Sequence, residues 1–290
     1  GYHIRDPKTF EASENILSVS DGQPLLAQNV PYSLYKVGEE IIGYKILECK
    51  LSRLNYSGEV LWTFDLPLRP RSGEPDNLDK VLGIAQGLLW ICTRWYRLIA
   101  LDLETGKPVH QFSGGWFDED HSNYIILDSL GWCFFREAEK TIVLISNFGV
   151  QILDAATAKI IEGYSFSEVD PQGIGAFEYF DAARLYGDCL TFIAQRHREA
   201  HGYRCAGIFD LKARRFIWIG DIISLEEKMS TGNHLIAQFP LQMAGNRLYI
   251  KDAENTLHIY QKEWRLKAQV RPQSEATASA VCVTTPSVGR

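Results

Sequence analysis

Leu88–Phe112 reads LLWICTRWYRLIALDLETGKPVHQF, three apolar runs separated by two polar turns. Leu88–Thr93 and Arg97–Leu101 are short and rich in β-prone residues, and Arg94–Tyr96 turns the chain between them. Asp102–Lys107 is the second turn: its Asp accepts hydrogen bonds from the backbone ahead of it, and its Gly supplies the positive φ of a tight hairpin. Pro108–Phe112 leaves as a further strand, so the stretch predicts an antiparallel meander.

The turn recurs along the chain. Gly58 in SGEVLWTF, Gly106 in TGKPVHQF, Ala158 in TAKIIEGYSF and Arg214 in ARRFIWIG align at spacings of 48, 52 and 56 residues. Asp102, Asp154 and Asp210 stand four residues before the last three, each closing an apolar strand. Trp62 and Trp218 stand four residues after their turn residues, and Asn246–Trp264 is a degenerate fifth copy. A period near 50 with about four strands per unit predicts an all-β fold, a β-propeller of about five to six four-stranded blades.

The strands of the second blade are expected at Asp79–Ala85, Leu88–Thr93, Arg97–Leu101 and Pro108–Phe112. Those of the fourth are expected at Glu178–Tyr186, Asp188–Gln195, Arg204–Phe209 and Arg215–Ile219. In the third, Tyr124–Leu127 and Trp132–Arg136 compete for the first strand. Ile41–Ile46, Cys49–Leu54 and Val60–Leu66 belong to the first blade, and Asn15–Ser20 and Pro24–Gln28 are strand candidates around the Asp21-Gly22 turn. Ser224–Ser230 carries the helix signal, a Ser cap with a Glu three residues on. The expectation is one domain over residues 1–270, regular from about residue 31, with a tail at 271–290 in which Ala280–Thr284 is a candidate closing strand.

These units resemble the PQQ-like repeat of quinoprotein-type propellers: an apolar strand ending in Asp, a T-G-x turn, and a strand carrying Trp. LIALDLETGKPVHQF carries the resemblance best, LSRLNYSGEVLWTF, VQILDAATAKIIEGYSF and GIFDLKARRFIWIG less completely, over about Val37–Trp264. The resemblance implies a bacterial propeller of the binding or immunity type. Quinoprotein dehydrogenases are far longer and repeat a Trp-docking motif around the whole ring, so their quinone and metal do not carry over.

Composition narrows the classes. The chain of 290 residues is 46% hydrophobic and 23% charged with net charge −6, which argues against a general nucleic-acid binder. No apolar run approaches the roughly 20 residues of a membrane span. The polar first residues lack a signal-peptide core, so a cytoplasmic location is expected, with a trimmed signal peptide as the alternative. None of the six cysteines forms a CxxC motif; buried reduced thiols are expected, with a Cys189–Cys205 cross-strand disulfide as the alternative.

Because strands alternate direction, the B-to-C turns within blades and the D-to-A connections between them share one face. The D-to-A connections are long: Pro67–Asp79, Ser113–Asn123, Ser167–Phe177 and Asp221–Asn233. Over Ser113–Asn123, Ser167–Asp181 and Asp221–Asn233 stand Asp118, Glu119, Asp120, Glu168, Asp170, Glu178, Asp181, Asp221, Glu226 and Glu227, against one base, Lys228. That charge either attracts a cationic partner or simply keeps the loops solvated. Trp116 and Phe117 directly precede Asp118, an aromatic pair beside acids that suits a hot spot for a basic partner; the alternative is that Trp116 covers a blade edge. Arg94, Trp95 and Tyr96 are expected on the same face.

No catalytic residue, metal or cofactor is assigned. Asp118–His121 lacks the Gly and alternating spacing of a calcium loop, and His197 and His201 sit in an Arg-rich hairpin tip. No G-x-S-x-G, H-E-x-x-H or phosphate-binding glycine loop occurs. The expected function is non-enzymatic protein binding, most concretely by an immunity protein that caps a toxin domain through an acidic loop face. The expected partner is a protein with a basic surface, without nucleic acid or membrane, and the chain is expected to be a monomer outside its complex. The alternatives are a glycan hydrolase with hub carboxylates and a scaffold subunit of a larger assembly.

Overall fold

The computed structural model describes residues 2–5, 12–16, 20–69, 72–95, 97–113, 132–146, 149–169, 177–196, 205–221, 241–252, 255 and 257–261. Two compact units are present, Gly1–Tyr164 and Ser165–Arg290. In the first, β1 (Tyr2–Arg5) and β2 (Ala12–Asn15) form a hairpin. Then come three four-stranded antiparallel sheets, each in sequence order. The first blade is β3 (Ser33–Val37), β4 (Glu40–Lys45), β5 (Lys50–Leu54) and β6 (Val60–Asp65). The second is β7 (Leu78–Ala85), β8 (Leu88–Thr93), β9 (Arg97–Asp102) and β10 (Pro108–Ser113). The third is β11 (Trp132–Arg136), β12 (Thr141–Ile145), β13 (Gly149–Asp154) and β14 (Lys159–Ser165).

In the second unit the helical turn α1 (Phe166–Val169) precedes a four-stranded sheet, β15 (Phe177–Tyr186), β16 (Cys189–Arg196), β17 (Cys205–Asp210) and β18 (Arg215–Asp221). The last described sheet has three strands, β19 (Gln242–Ala244), β20 (Arg247–Lys251) and β21 (Leu257–Gln261).

The C-to-D turns follow one chemistry. The Asp102 carboxylate accepts the Thr105 amide at 2.7 Å and its hydroxyl at 2.6 Å, and Asp154 does the same with Thr157 at 2.7 and 2.8 Å. These hydrogen bonds, from the Thr hydroxyl first and then its amide, hold both carboxyls below the usual Asp range. Asn55 substitutes in the first blade, taking the amides of Ser57 and Glu59. The aligned turn residues Gly58, Gly106, Ala158 and Arg214 all have positive φ, at 87°, 68°, 56° and 50°. The turn imposes the left-handed conformation even where the residue carries a Cβ that resists it.

A second repeated bond joins the two kinds of turn at this end. The amides of Leu103, Ala155 and Leu211 donate to Gly87, Lys140 and Asp188 in their own A-to-B turns, at 2.8, 3.0 and 2.9 Å.

A β-bulge then re-aims the outer strand. Pairing skips Leu61, Val109 and Ile217, each three residues past the turn. The extra residue faces outward, which explains the exposure of Leu61 and Val109, and the next residue turns inward. In the first blade that next residue is Trp62. Its indole donates to the Leu103 carbonyl of the second blade at 2.7 Å and lies against Gly106, where a Cβ would come within 2.5 Å of the ring. Trp218 likewise reaches Tyr260 of the next sheet, ring centres 5.3 Å apart.

The cores lie between neighbouring sheets. Ile42, Leu51 and Trp62 pack with Leu89, Ile91 and Ile99, and Trp90, Leu98 and Ala100 pack with Cys133, Ile142 and Leu153. In the second unit Ile193 and Ala206 pack with Leu248 and Ile250. Trp90 also donates to the Ala155 carbonyl at 2.8 Å, so an indole ties the second blade to the third as one ties the first to the second.

One open choice is resolved, and several expectations are corrected. Trp132–Arg136 is the first strand of the third blade. Residues 25–28 are bends; Ala12–Asn15 forms a strand paired with Tyr2–Arg5, and residues 17–19 of the Asn15–Ser20 candidate lie outside the described residues. The unexpected helical turn α1 is a reciprocal capping box: Glu168 accepts the Ser165 amide at 2.9 Å, and Ser165 accepts the Glu168 amide at 3.2 Å. A Cys189–Cys205 bridge is ruled out by register. Cys189 pairs with Asp210 and Cys205 with Ala194, five ladder positions apart, which is about 17 Å at strand rise and beyond disulfide reach. Both residues are thiols and not halves of a disulfide. Ser224–Ser230, Tyr124–Leu127 and the tail at 271–290 lie outside the described residues.

Candidate functional site

The β4–β5 and β8–β9 turns and the β6–β7 connection meet at the other end of the blades. In the first two blades this end is built around residues 66–77, the connection from β6 to β7. Within it the Arg69 amide donates to the Glu74 carbonyl at 2.7 Å and the Gly73 amide to the Arg69 carbonyl at 3.0 Å, with Leu68 and Pro75 bridged. Its start is tied to the β4–β5 turn by the Leu66 amide on the Cys49 carbonyl at 3.1 Å. Its end is tied to the β8–β9 turn by the Arg94 amide on the Asn77 carbonyl at 2.9 Å.

Beneath this connection lies a buried polar group. Arg97, at the start of β9, donates through Nη2 to the Leu68 carbonyl at 2.7 Å, and its Nη1 lies 3.7 Å from Oδ2 of Asp76. Asp76 is fully buried, and its Oδ1 accepts the Asn77 amide at 2.7 Å. Burial lowers the pKa of Arg97, partly offset by the Asp76 charge. Next to them the Tyr44 hydroxyl donates to the Asn77 side chain at 3.2 Å and accepts the Leu78 amide at 3.2 Å; burial raises its pKa. The connection is thus fastened at both edges and from below.

The outer surface of this end is apolar at several points. Leu47 in the β4–β5 turn is fully exposed, and Ile46 and Leu68 are each 58% exposed. Trp95 is half-buried, with the Arg69 guanidinium 5.7 Å from its ring centre, and Arg69 is held by Glu74 at 3.2 Å. Arg94 is exposed beside it. Three exposed aliphatic residues and a half-buried indole, carried by the braced connection and the two turns tied to it, make a surface suited to contact with another protein.

Of the sequence-derived partner-binding residues, Arg94 and Trp95 stand at this end. Glu178 and Asp181 lie on β15 rather than in a loop. Glu168 is engaged with Ser165. Trp116, Phe117, Asp118, Glu119, Asp120, Asp170, Glu226, Glu227 and Tyr96 lie outside the described residues, as do His197 and His201. The sequence reading missed Asp76, Arg97, Leu47 and Leu68. Exposure of Leu47 at a turn tip opposes its hydrophobicity, so only the placement of that turn reveals it.

Among the described residues no group of three or more His, Cys, Asp or Glu side chains converges as a metal site. The three per-blade carboxylates serve turns: Asp102 and Asp154 hold their Thr residues, and Asp210 accepts the Ala213 amide at 2.8 Å. In the second unit His258 and Asp252 form a buried pair at 2.9 Å at the B-to-C end of the last described sheet.

No family model matches the chain, and no curated protein sequence matches it. Solved structures do. BamB from Moraxella catarrhalis superposes with a TM-score of 0.51 at 11% identity, covering 86% of this chain and 63% of BamB. The Pan2 WD40 domain from Neurospora crassa matches at 14% identity over 83% of this chain and 62% of that domain, TM-score 0.44. The Cps50 (Swd1) β-propeller domain from Myceliophteria thermophila matches at 12% identity over 84% of this chain and 68% of that domain, TM-score 0.46. The chain therefore spans just under two thirds of BamB and of the Pan2 domain, and its likeness to BamB shows a shared fold. That fold is a β-propeller.

Proposed function

We propose that this chain is a non-enzymatic β-propeller that binds another protein through the loop end of its first two blades. The observation that carries the reading is the exposed set of Ile46 and Leu47 in the β4–β5 turn and Leu68 on the adjoining 66–77 connection, which Asp76, Arg97 and Tyr44 fasten. Exposed aliphatic side chains on a fixed frame lose little entropy when a partner covers them, and their burial supplies affinity. The β-propeller fold is compatible with this role.

The more concrete form is an immunity protein that caps a toxin domain. It rests on the acidic sequence of the later loops, with Asp118, Glu119 and Asp120 beside Trp116 and Phe117, which would steer a basic partner toward the apolar surface.

A photo-crosslinking side chain placed at position 47, and separately at 68, tests the first statement in living bacteria. A discrete adduct to one protein from both positions is expected, and Leu47→Asp should weaken binding of that protein at least about tenfold with an unchanged melting midpoint. No adduct at either position overturns the reading. The toxin form is tested separately by reversing Asp118 and Asp120 to Lys. Slower association that no longer depends on salt is expected, and unchanged kinetics reject the acidic-face mechanism.

A further inference from the structure

The geometry points to a latent disulfide between Cys92 and Cys133: the bond forms when the chain folds in the presence of a low-molecular-weight disulfide, and the closed core then shields it. Cys92 lies on β8 of the second blade, paired with Lys80, and Cys133 on β11 of the third, paired with Leu144. The residues are 41 apart in sequence, yet their sulfurs lie 3.6 Å apart. Both are buried in the core that joins these blades, beside Trp90, Phe135 and Leu144, and both are free thiols. Sulfurs already at contact distance need only a small side-chain rotation to reach bonding distance.

The step balances with a disulfide oxidant such as oxidised glutathione. One cysteine thiolate attacks a sulfur of the oxidant, forming a mixed disulfide and releasing one glutathione thiol. The second thiolate attacks the protein sulfur of that mixed disulfide and releases the other. Two electrons pass from the cysteine pair to the oxidant, and the two thiol protons end on the released glutathiones. In the finished fold neither step is open to solvent. The hydrogen bond to Cys133 and then burial push the Cys92 thiol well above its ordinary pKa, which leaves little thiolate to react. The bond therefore records the conditions under which β8 and β11 first met.

The test is to refold the full-length chain from denaturant with oxidised or with reduced glutathione and to digest both products without reduction. The expected result is a linked pair of peptides carrying Cys92 and Cys133 after oxidative refolding alone. The melting midpoint of that product should be several degrees higher, because the bond closes a loop of about 40 residues. Dithiothreitol should leave the bond intact in native buffer and open it in denaturant. Absence of the linked peptides overturns the proposal, as does a lowered or unchanged midpoint, or rapid reduction in native buffer. Cys133→Ala taken through the same protocol should lose the midpoint difference between the two products; its persistence would assign the effect to another cysteine pair and overturn the proposal as well.

Discussion

At one end of the blades in Gly1–Tyr164, the same few bonds recur. An Asp or Asn side chain holds the C-to-D turn, a left-handed residue closes it, and in the second and third blades the turn's amide reaches the A-to-B carbonyl. At the other end, the first two blades hold an assembly of another kind: Arg97 reaches the Leu68 carbonyl, Asp76 stands beside Arg97, and Tyr44 contacts Asn77 from the neighbouring blade. A repeated device serves the repeat, because every blade must close its turns and seat against the next. The non-repeating assembly underlies the surface that presents Ile46, Leu47 and Leu68. The difference teaches that in a repeat protein the irregular end is the place to look for a partner.

The comparison breaks first at Asp76. Asp76→Ala leaves the buried Arg97 guanidinium without its anion, and a loss of about 3–5 kcal/mol is expected in denaturant unfolding. A loss below about 1 kcal/mol would show that the 66–77 connection does not depend on the pair. Asp102→Ala, at an exposed turn, should lower the melting midpoint far less.

Glycine conformation gives the next largest effect. Gly106→Ala combines an unfavourable φ with a Cβ 2.5 Å from the Trp62 ring, and at least about 1–2 kcal/mol of destabilisation is expected. Arg214→Gly places glycine where the same turn already holds a left-handed residue, so a gain of up to about 1 kcal/mol is expected. Opposite signs at two aligned positions would be strong evidence that the turn, and not the residue, sets the conformation.

Trp62→Phe keeps most of the ring and removes its donor. Because the Leu103 carbonyl also accepts Arg53 Nη1 at 3.0 Å, the expected cost is only about 0.5–1.5 kcal/mol, read as a shift in the unfolding midpoint.

The smallest effect is in pH. Asp102 and Asp154 have folded pKa values below their unfolded ones, so the stability they contribute is full above the ordinary Asp range and lost as pH falls through their lowered values. A melting midpoint followed on acidification should fall less steeply in the Asp102→Asn variant than in the unaltered chain.

Legibility tracked locality. The turn alignment at Gly58, Gly106, Ala158 and Arg214 was readable because the conformation is set within six residues, and all four indeed take positive φ. Trp62 and Trp218 were readable as equivalent because the bulge sits at a fixed distance from the turn. The first strand of the first blade, Ser33–Val37, escaped notice because its sequence SLYKV is only partly buried and lacks an apolar run. Asp76 escaped because a buried carboxylate looks like any loop Asp until its partner is placed, and Arg97 stands 21 positions further on.

The sequence by itself determined the repeat, its turns and the strand order, because each rests on contacts between residues close in the chain. Tertiary structure decided what side chains from different blades do to one another. Only it brings Cys92 to Cys133, seats Trp62 on the second blade's turn, and leaves Leu47 in solvent above a fastened loop. These depend on distances between segments tens of residues apart, and periodicity along the chain carries no information about such distances.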